Sequence, residues 1–203
     1  MTTAAGYDAV VLAGGSARRL DGADKPGLLV GGTPMLDRVL AACDGAGRTV
    51  VVGPERATAR PVRWVREQPP GGGPVAAIAA ALPQVTAGTV LLLAADLPFF
   101  DAATAARLCA ALAPKADTGA GSEPAAAVLV DPGGRDQPLA AAYRADALRA
   151  ALAQLPDPSG LPLRRLVGGL ATTRLPDRDG VAADCDTWDD LAQARSRARP
   201  SAD

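Results

Sequence analysis

Val10-Val11-Leu12-Ala13-Gly14-Gly15-Ser16-Ala17-Arg18-Arg19-Leu20-Asp21-Gly22-Ala23-Asp24-Lys25 is the stretch whose reading decides the fold. It opens on a short apolar run, the mark of a buried strand, and Gly14-Gly15 breaks that run. A hydroxyl residue, two arginines and a lysine follow, with Gly22 among them. Glycine lets the backbone approach an anion closely and turn its N–H groups toward it. Arginine adds a charged fork and lysine a point charge. A strand ending in this way predicts a phosphate-holding βα loop. The plainer alternative is a βα turn with a solvated basic edge. Two common phosphate loops are excluded. The Gly-Lys-Ser/Thr of the Walker pattern is missing, and Arg18-Arg19 stands where the dinucleotide fingerprint needs its third glycine.

The chain has 203 residues, a length that fits one domain over 1–203, with 199–203 as a frayed tail. Hydrophobic residues make up 48% but aromatics only 3%, so the core must be built from Ala, Val and Leu. The 21 basic residues nearly balance the 22 acidic ones. That balance excludes a general binder of nucleic acid or membrane surface, both of which need a large cationic excess. Any anion binding must therefore be local. Histidine is absent, which excludes a Ser-His-Asp triad and a histidine base. The three cysteines, Cys43, Cys109 and Cys185, form no Cys-x-x-Cys pair, so a zinc site is not expected. They read as reduced residues of a cytoplasmic protein. Residues 1–7 carry no cationic-then-apolar leader, and no apolar run reaches the length of a membrane span.

Outward from the first strand, expected near Asp8 to Ala13, strands and helices alternate. Leu28 to Val30 predicts a brief extended piece. Thr33-Pro34 predicts a helix start, with Thr33 as cap and Pro34 at the first helical position. Thr49 to Val52, Trp64-Val65 and Val90 to Ala94 predict strands, the last central because it is the most apolar. Helices are expected near Val75 to Leu82, near Ala102 to Leu112 with Asp101 as cap, and near Ala145 to Gln154. Ala125 to Val130, Leu139 to Tyr143 and an edge piece at Ala171 to Arg174 predict later strands, and Leu161 to Val167 a helix. Thr187 caps the last helix, and Met35, Trp64 and Trp188 read as core. The alternation implies a parallel sheet with right-handed crossovers, and the helix-poor stretch after Asp117 a mixed, partly antiparallel extension.

Ligands of an open α/β sheet sit beyond the carboxyl ends of its parallel strands. Three unusual features fall there: the Gly14–Lys25 loop, the Gln68–Pro74 loop and Asp96. A carboxylate at the mouth of a buried strand must be paired, hydrogen-bonded or metal-bound. Asp96 is thus either a turn or capping residue or a ligand of Mg²⁺, which takes one or two carboxylates beside water and phosphate oxygens.

Leu12-Ala13-Gly14-Gly15 through Arg19, with Asp24-Lys25, resembles the signature loop of the nucleotidyltransferases. Within them it is most similar to the molybdenum cofactor guanylyltransferases. Gly71-Gly72-Gly73-Pro74, Asp96-Leu97-Pro98, Gln137-Pro138-Leu139 with Ala142-Tyr143, and Asp184-Cys185-Asp186-Thr187 fit the same family in order. The resemblance implies a single Rossmann-like, three-layer α/β domain with a mostly parallel sheet. It implies transfer of GMP from GTP to the phosphate of molybdenum-bearing molybdopterin, with loss of pyrophosphate, and contact with other cofactor-maturation proteins. Leu12, Ala13 and Gly14 then hold the nucleotide through backbone groups, with Gly15, Ser16 and Gln68 completing the nucleotide site. Lys25 contacts phosphate, Asp96 binds Mg²⁺, and Arg19 joins Lys25 in opposing the charge that builds on the α-phosphate. Arg18 either faces the same way or points into solvent. The alternatives are the same chemistry with CTP or another acceptor, and a non-catalytic partner that delivers or shelters the cofactor.

The chain departs from that family at a few points. Glu67-Gln68 replaces an acidic pair, and Gln137 stands where histidine is common. Asp184 and Asp186 stand where asparagines are common, and either add a metal contact or cap and solvate the last helix.

Overall fold

The computed structural model describes residues 6–15, 20, 22–113 and 123–199. Nine strands are described: β1 (Tyr7–Leu12), β2 (Leu29–Val30), β3 (Thr33–Pro34), β4 (Thr49–Val52), β5 (Arg63–Val65), β6 (Thr89–Ala94), β7 (Ala126–Val130), β8 (Asp136–Arg144) and β9 (Thr172–Pro176). The described helices are α1 (Met35–Ala42), α2 (Gly73–Ala81), α3 (Ala102–Ala110), α4 (Ala145–Ala153), α5 (Arg164–Val167) and α6 (Trp188–Arg197). Seven strands form one sheet in the order β5-β4-β1-β6-β8-β7-β9. Only β8 runs antiparallel to its neighbours, so the expected mixed extension is a single reversed strand. The apolar run Val90 to Ala94 lies in β6, the middle strand of the seven.

The period of two along each strand sorts the core into two layers. Val11, Leu91 and Leu93 face α1 and α3, packing with Leu36, Leu40 and Leu108. Val10, Val50 and Leu92 point the other way, onto Ile78 of α2, Leu148 of α4 and Leu166 of α5. Helices therefore cover both faces of the sheet. A third, smaller cluster joins Val30 and Met35 to Cys185, Leu191 and Ala194, and so seats α6 against the β2–β3 hairpin.

That hairpin corrects the expected helix start. Gly31 and Gly32 take φ of 60° and 80°, the left-handed pair that a two-residue hairpin loop requires. Thr33 is thereby paired with Val30 in β3 and is no cap, and the helix begins one residue past Pro34. Two other caps stand as expected: Asp101 accepts from the Thr104 N–H at 2.7 Å, and Thr187 forms a capping box with Asp190. The strand expected from Leu139 begins at Asp136, because the β7–β8 register breaks between Val128 and Leu129, where Pro138 is tolerated. Leu161 to Leu163 lie outside α5, which is confined to Arg164–Val167 with Leu163 as its N-cap. Trp188 is also corrected: it is 45% exposed, because it opens α6 and that helix turns Leu191 and Ala194 inward. Residues 200–203 of the expected tail lie outside the described residues. No described helix is long and apolar enough to cross a membrane.

The cysteines are free thiols. Burial pushes Cys43 and Cys109 up to about 12 and Cys185 up to about 11. Only a thiolate attacks a disulfide reagent. Native protein at pH 7.5 is therefore expected to release less than one equivalent of chromophore from an aromatic disulfide within minutes, and three equivalents in guanidinium. Rapid reaction of two or more native thiols would contradict this burial.

Candidate active site

The first loop leaves the carboxyl end of β1, the strand beside β6. Its path depends on Gly53, at φ 148° beyond the end of β4. A Cβ there would lie 2.9 Å from the Ala13 carbonyl carbon and oxygen, so only glycine lets the two loops lie this close. Gly15 takes φ 138° and Gly14 faces Glu67. Leu12 to Gly15, Lys25, Glu67, Gly73 and Asp96 line one cleft of about 1010 Å³. The three sequence features at the strand ends thus open onto the same space. Ser16, Arg18 and Arg19 lie outside the described residues.

Lys25 opens a one-turn 3-10 helix, Lys25–Gly27, which Pro26 favours by fixing its own φ. Its ammonium forms an ion pair with Asp96 Oδ2 and another, at 2.5 Å, with Asp186 Oδ1. Burial, the largest influence on Lys25, works to lower its pKa. The Asp96 charge and the bonds to both carboxylates outweigh that and raise it. Asp184, next to this group, is held above the usual carboxylate range by burial first and by the Asp186 and Asp96 charges next. Asp186 is not the helix cap, since Thr187 and Asp190 fill that role.

The segment around Asp96 is braced from two sides. Cys185 N–H donates to the Asp96 carbonyl at 3.2 Å. Arg38 donates to the Pro98 carbonyl at 2.6 Å, and the Arg197 guanidinium lies 3.8 Å from the Phe99 ring centroid. The C-terminal helix thereby holds the carboxylate loop, a link between distant parts of the chain.

Asp96 Oδ1 is buried without a hydrogen-bond partner among the described residues. One carboxylate oxygen is engaged by an ammonium and the other is unsatisfied, beside a second carboxylate that opens on the cleft. That donor set suits a hard divalent cation which completes its shell with water and phosphate oxygens. No group of three or more His, Cys, Asp or Glu side chains among the described residues is arranged to hold a metal on protein ligands alone.

Gln68 does not take the expected place. Its side chain is exposed, outside the cleft lining, and the preceding Glu67 is the buried residue. Glu67 Oε1 accepts from the Gly71 N–H at 2.9 Å, so the glycine-rich turn folds back over the carboxylate and leaves the next side chain outside. Sequence reasoning also missed the spacing role of Gly53 and the contact of Asp186 with Lys25. The run Gly53-Pro54 was a local signal for the first, but nothing local signals the second.

A doubly wound α/β protein, with its ligand cleft at the carboxyl edge of the parallel strands, is the class these features define. Residues 9–174 match the MobA-like NTP transferase domain, and the chain belongs to that family. It is 42% identical over 103 residues to a probable molybdenum cofactor guanylyltransferase of Synechococcus elongatus, over 45% of this chain and 51% of that one. It is 38% identical over 122 residues to a molybdenum cofactor guanylyltransferase of Acidiphilium cryptum, over 55% of this chain and 61% of that one. The match thus spans about half the length of the Synechococcus relative. Among solved structures, molybdopterin-guanine dinucleotide biosynthesis protein A of Archaeoglobus fulgidus superposes with a TM-score of 0.66 at 22% identity, over 94% of this chain and 97% of that one. A nucleotidyl transferase of Methanothermobacter reaches 0.73 at 21% identity, over 95% and 97%. At such identities these two establish the fold.

Proposed function

We propose that this chain transfers GMP from GTP to the phosphate of molybdenum-bearing molybdopterin, releasing pyrophosphate. The observation that carries the reading is the Lys25–Asp96 ion pair at the mouth of the central strand, beside the Gly14-Gly15 loop. The names of the two curated relatives support the guanine and molybdenum parts.

In the proposed reaction an oxygen of the acceptor phosphate attacks the α-phosphorus of GTP. The bond from that phosphorus to the β-phosphate oxygen breaks, and pyrophosphate leaves with the electron pair. The acceptor is already an anion, so no strong base is needed, which suits a chain without histidine. The obstacle is repulsion between two anions and charge build-up on the α-phosphate. Main-chain N–H groups of Gly14 and Gly15, beyond the end of β1, orient the nucleotide, while Lys25 and Arg19 offset the charge. Asp96 would hold Mg²⁺, with Asp186 beside it. A bound Mg²⁺ supplies Lewis-acid polarisation of the phosphoryl oxygens. The reaction needs Lys25 to turn from its carboxylates toward phosphate.

Incubation with molybdenum-loaded molybdopterin, Mg²⁺ and one of GTP, CTP or ATP, with detection of pyrophosphate, tests this. Release with GTP alone is expected. Release with CTP would move the assignment to cytidylyl transfer. No release with any nucleotide, despite nucleotide binding, would favour a non-catalytic carrier.

A further inference from the structure

The first loop runs from Gly14 to Lys25, and the connection that follows β4 meets it at both ends. Gly53 lies against Ala13 where the loop begins. Where it ends, the Arg56 guanidinium is ion-paired with Asp24, the residue before Lys25. The connection is itself fastened to the α1 region. The Ala59 N–H donates to Asp37 Oδ1 at 2.9 Å, and Arg60 donates to the Leu40 carbonyl at 3.0 Å and pairs with Asp44 at 2.6 Å.

The Arg56 side chain is 18% exposed, and its Nε is buried without a hydrogen-bond partner among the described residues. A guanidinium so placed depends on its carboxylate partner to offset lost hydration. Asp24 in turn shapes the turn that carries Lys25. Its carbonyl accepts from the Gly27 N–H at 2.9 Å. Its Oδ2 lies so close to Gly27 that an added Cβ would stand 2.6 Å away.

We infer that Arg56 is a positioning residue for nucleotidyl transfer: through Asp24 it fixes the turn that presents the Lys25 ammonium to phosphate. This rests on the proposed function above, in which Lys25 offsets charge on the reacting phosphate. Arg56 does not line the cleft, so it acts through Asp24 and Lys25 and not on the substrate. Asp24 is 66% exposed and water screens the pair, so the contact matters for geometry more than for stability. A displacement of about 1 Å at a reacting centre can cost roughly a hundredfold in rate.

Two substitutions break the contact from opposite sides. Arg56→Met removes the cation. Gly27→Ala pushes the Asp24 carboxylate aside and leaves Arg56 in place, and the Gly27 backbone is not in the left-handed region. Each is expected to lower pyrophosphate release from GTP about tenfold, with the melting temperature nearly unchanged. Added to Lys25→Met, Arg56→Met should cost nothing further, because the group it places is gone. A second readout needs no turnover. The chain has two lysines, so acetylation of Lys25 by limiting acetic anhydride can be followed by peptide mass spectrometry against that of Lys115. Lys25 is expected to react about two- to fivefold faster in Arg56→Met and Gly27→Ala than in wild type.

Unchanged acetylation of Lys25 in both variants overturns the role of Arg56. So does wild-type turnover in both, or a further tenfold loss on the Lys25→Met background. A wild-type chain that releases no pyrophosphate overturns the proposed function instead, and the acetylation rates then decide whether Arg56 places Lys25. If Arg56→Met does not fold, Gly27→Ala decides.

Discussion

Asp96→Asn is expected to lower pyrophosphate release from GTP by about a thousandfold, since a Lewis-acid metal contributes several kcal/mol to charge stabilisation. The substitution keeps the shape of the side chain and removes its charge. Asp96 lies at the mouth of β6, with Oδ2 on Lys25 and Oδ1 without a hydrogen-bond partner among the described residues. A residue that merely paired with Lys25 would leave a different trace. Its loss would lower the melting temperature and spare turnover, because Lys25 keeps its bond to Asp186. A residue that seats the divalent cation should lose turnover and need far more Mg²⁺ for whatever turnover remains, beside any fall in melting temperature from the lost pair with Lys25. Steady-state rates over a Mg²⁺ series, beside thermal melts without metal, separate the two roles. Undiminished turnover in Asp96→Asn at low Mg²⁺ would remove this carboxylate from the chemistry.

The parts legible from sequence were those governed by local rules. β4 was read to its end residues, and β1 and β6 within a residue or so, because each is a short apolar run closed by a turn or a polar residue. Thr187 and Asp101 announced their helices because capping depends on residues three positions apart. Thr33-Pro34 misled for the same reason. Its cap-like pattern was overridden by Gly31-Gly32, whose two left-handed residues close a hairpin and pair Thr33 with Val30. The lysine and aspartate of the site were marked by their position after strands, and the fold brings them into contact. The other half of that contact was out of reach, since Asp186 lies 161 positions from Lys25 and meets it only when α6 docks on the β2–β3 hairpin. Glu67 and Gln68 differ by one position, and no periodicity tells which of them turns inward. The turn that returns the Gly71 N–H to Glu67 decides it.

Lys25→Met should have the second large effect, and it should act on both turnover and stability. Turnover is expected to fall by about a hundredfold or more, as the ammonium proposed to offset the phosphate charge is lost. Without metal the protein should also become less stable. Asp96 and Asp186 would then face each other across the space left by the ammonium, with Asp184 close by. Lys25 and Asp96 are mostly buried, but Asp186 is half exposed. The expected loss is therefore about 1–2 kcal/mol, between the values for exposed and buried pairs. For a chain of this size that lowers the melting temperature by roughly 2–8 °C. The folded pKa of Lys25 is raised above its ordinary value of 10.5, so its contribution is fully present below that value and disappears as pH rises through the higher, folded one. The stability gap between wild type and variant should thus stay constant from pH 6 to 9. Adding Mg²⁺ should narrow the gap, because a divalent cation restores positive charge between the same carboxylates. Melting curves with and without about 10 mM Mg²⁺, together with pyrophosphate assays, check both effects. If the variant melts with wild type and turns over at the wild-type rate, the ammonium has no part in holding this site or in the reaction.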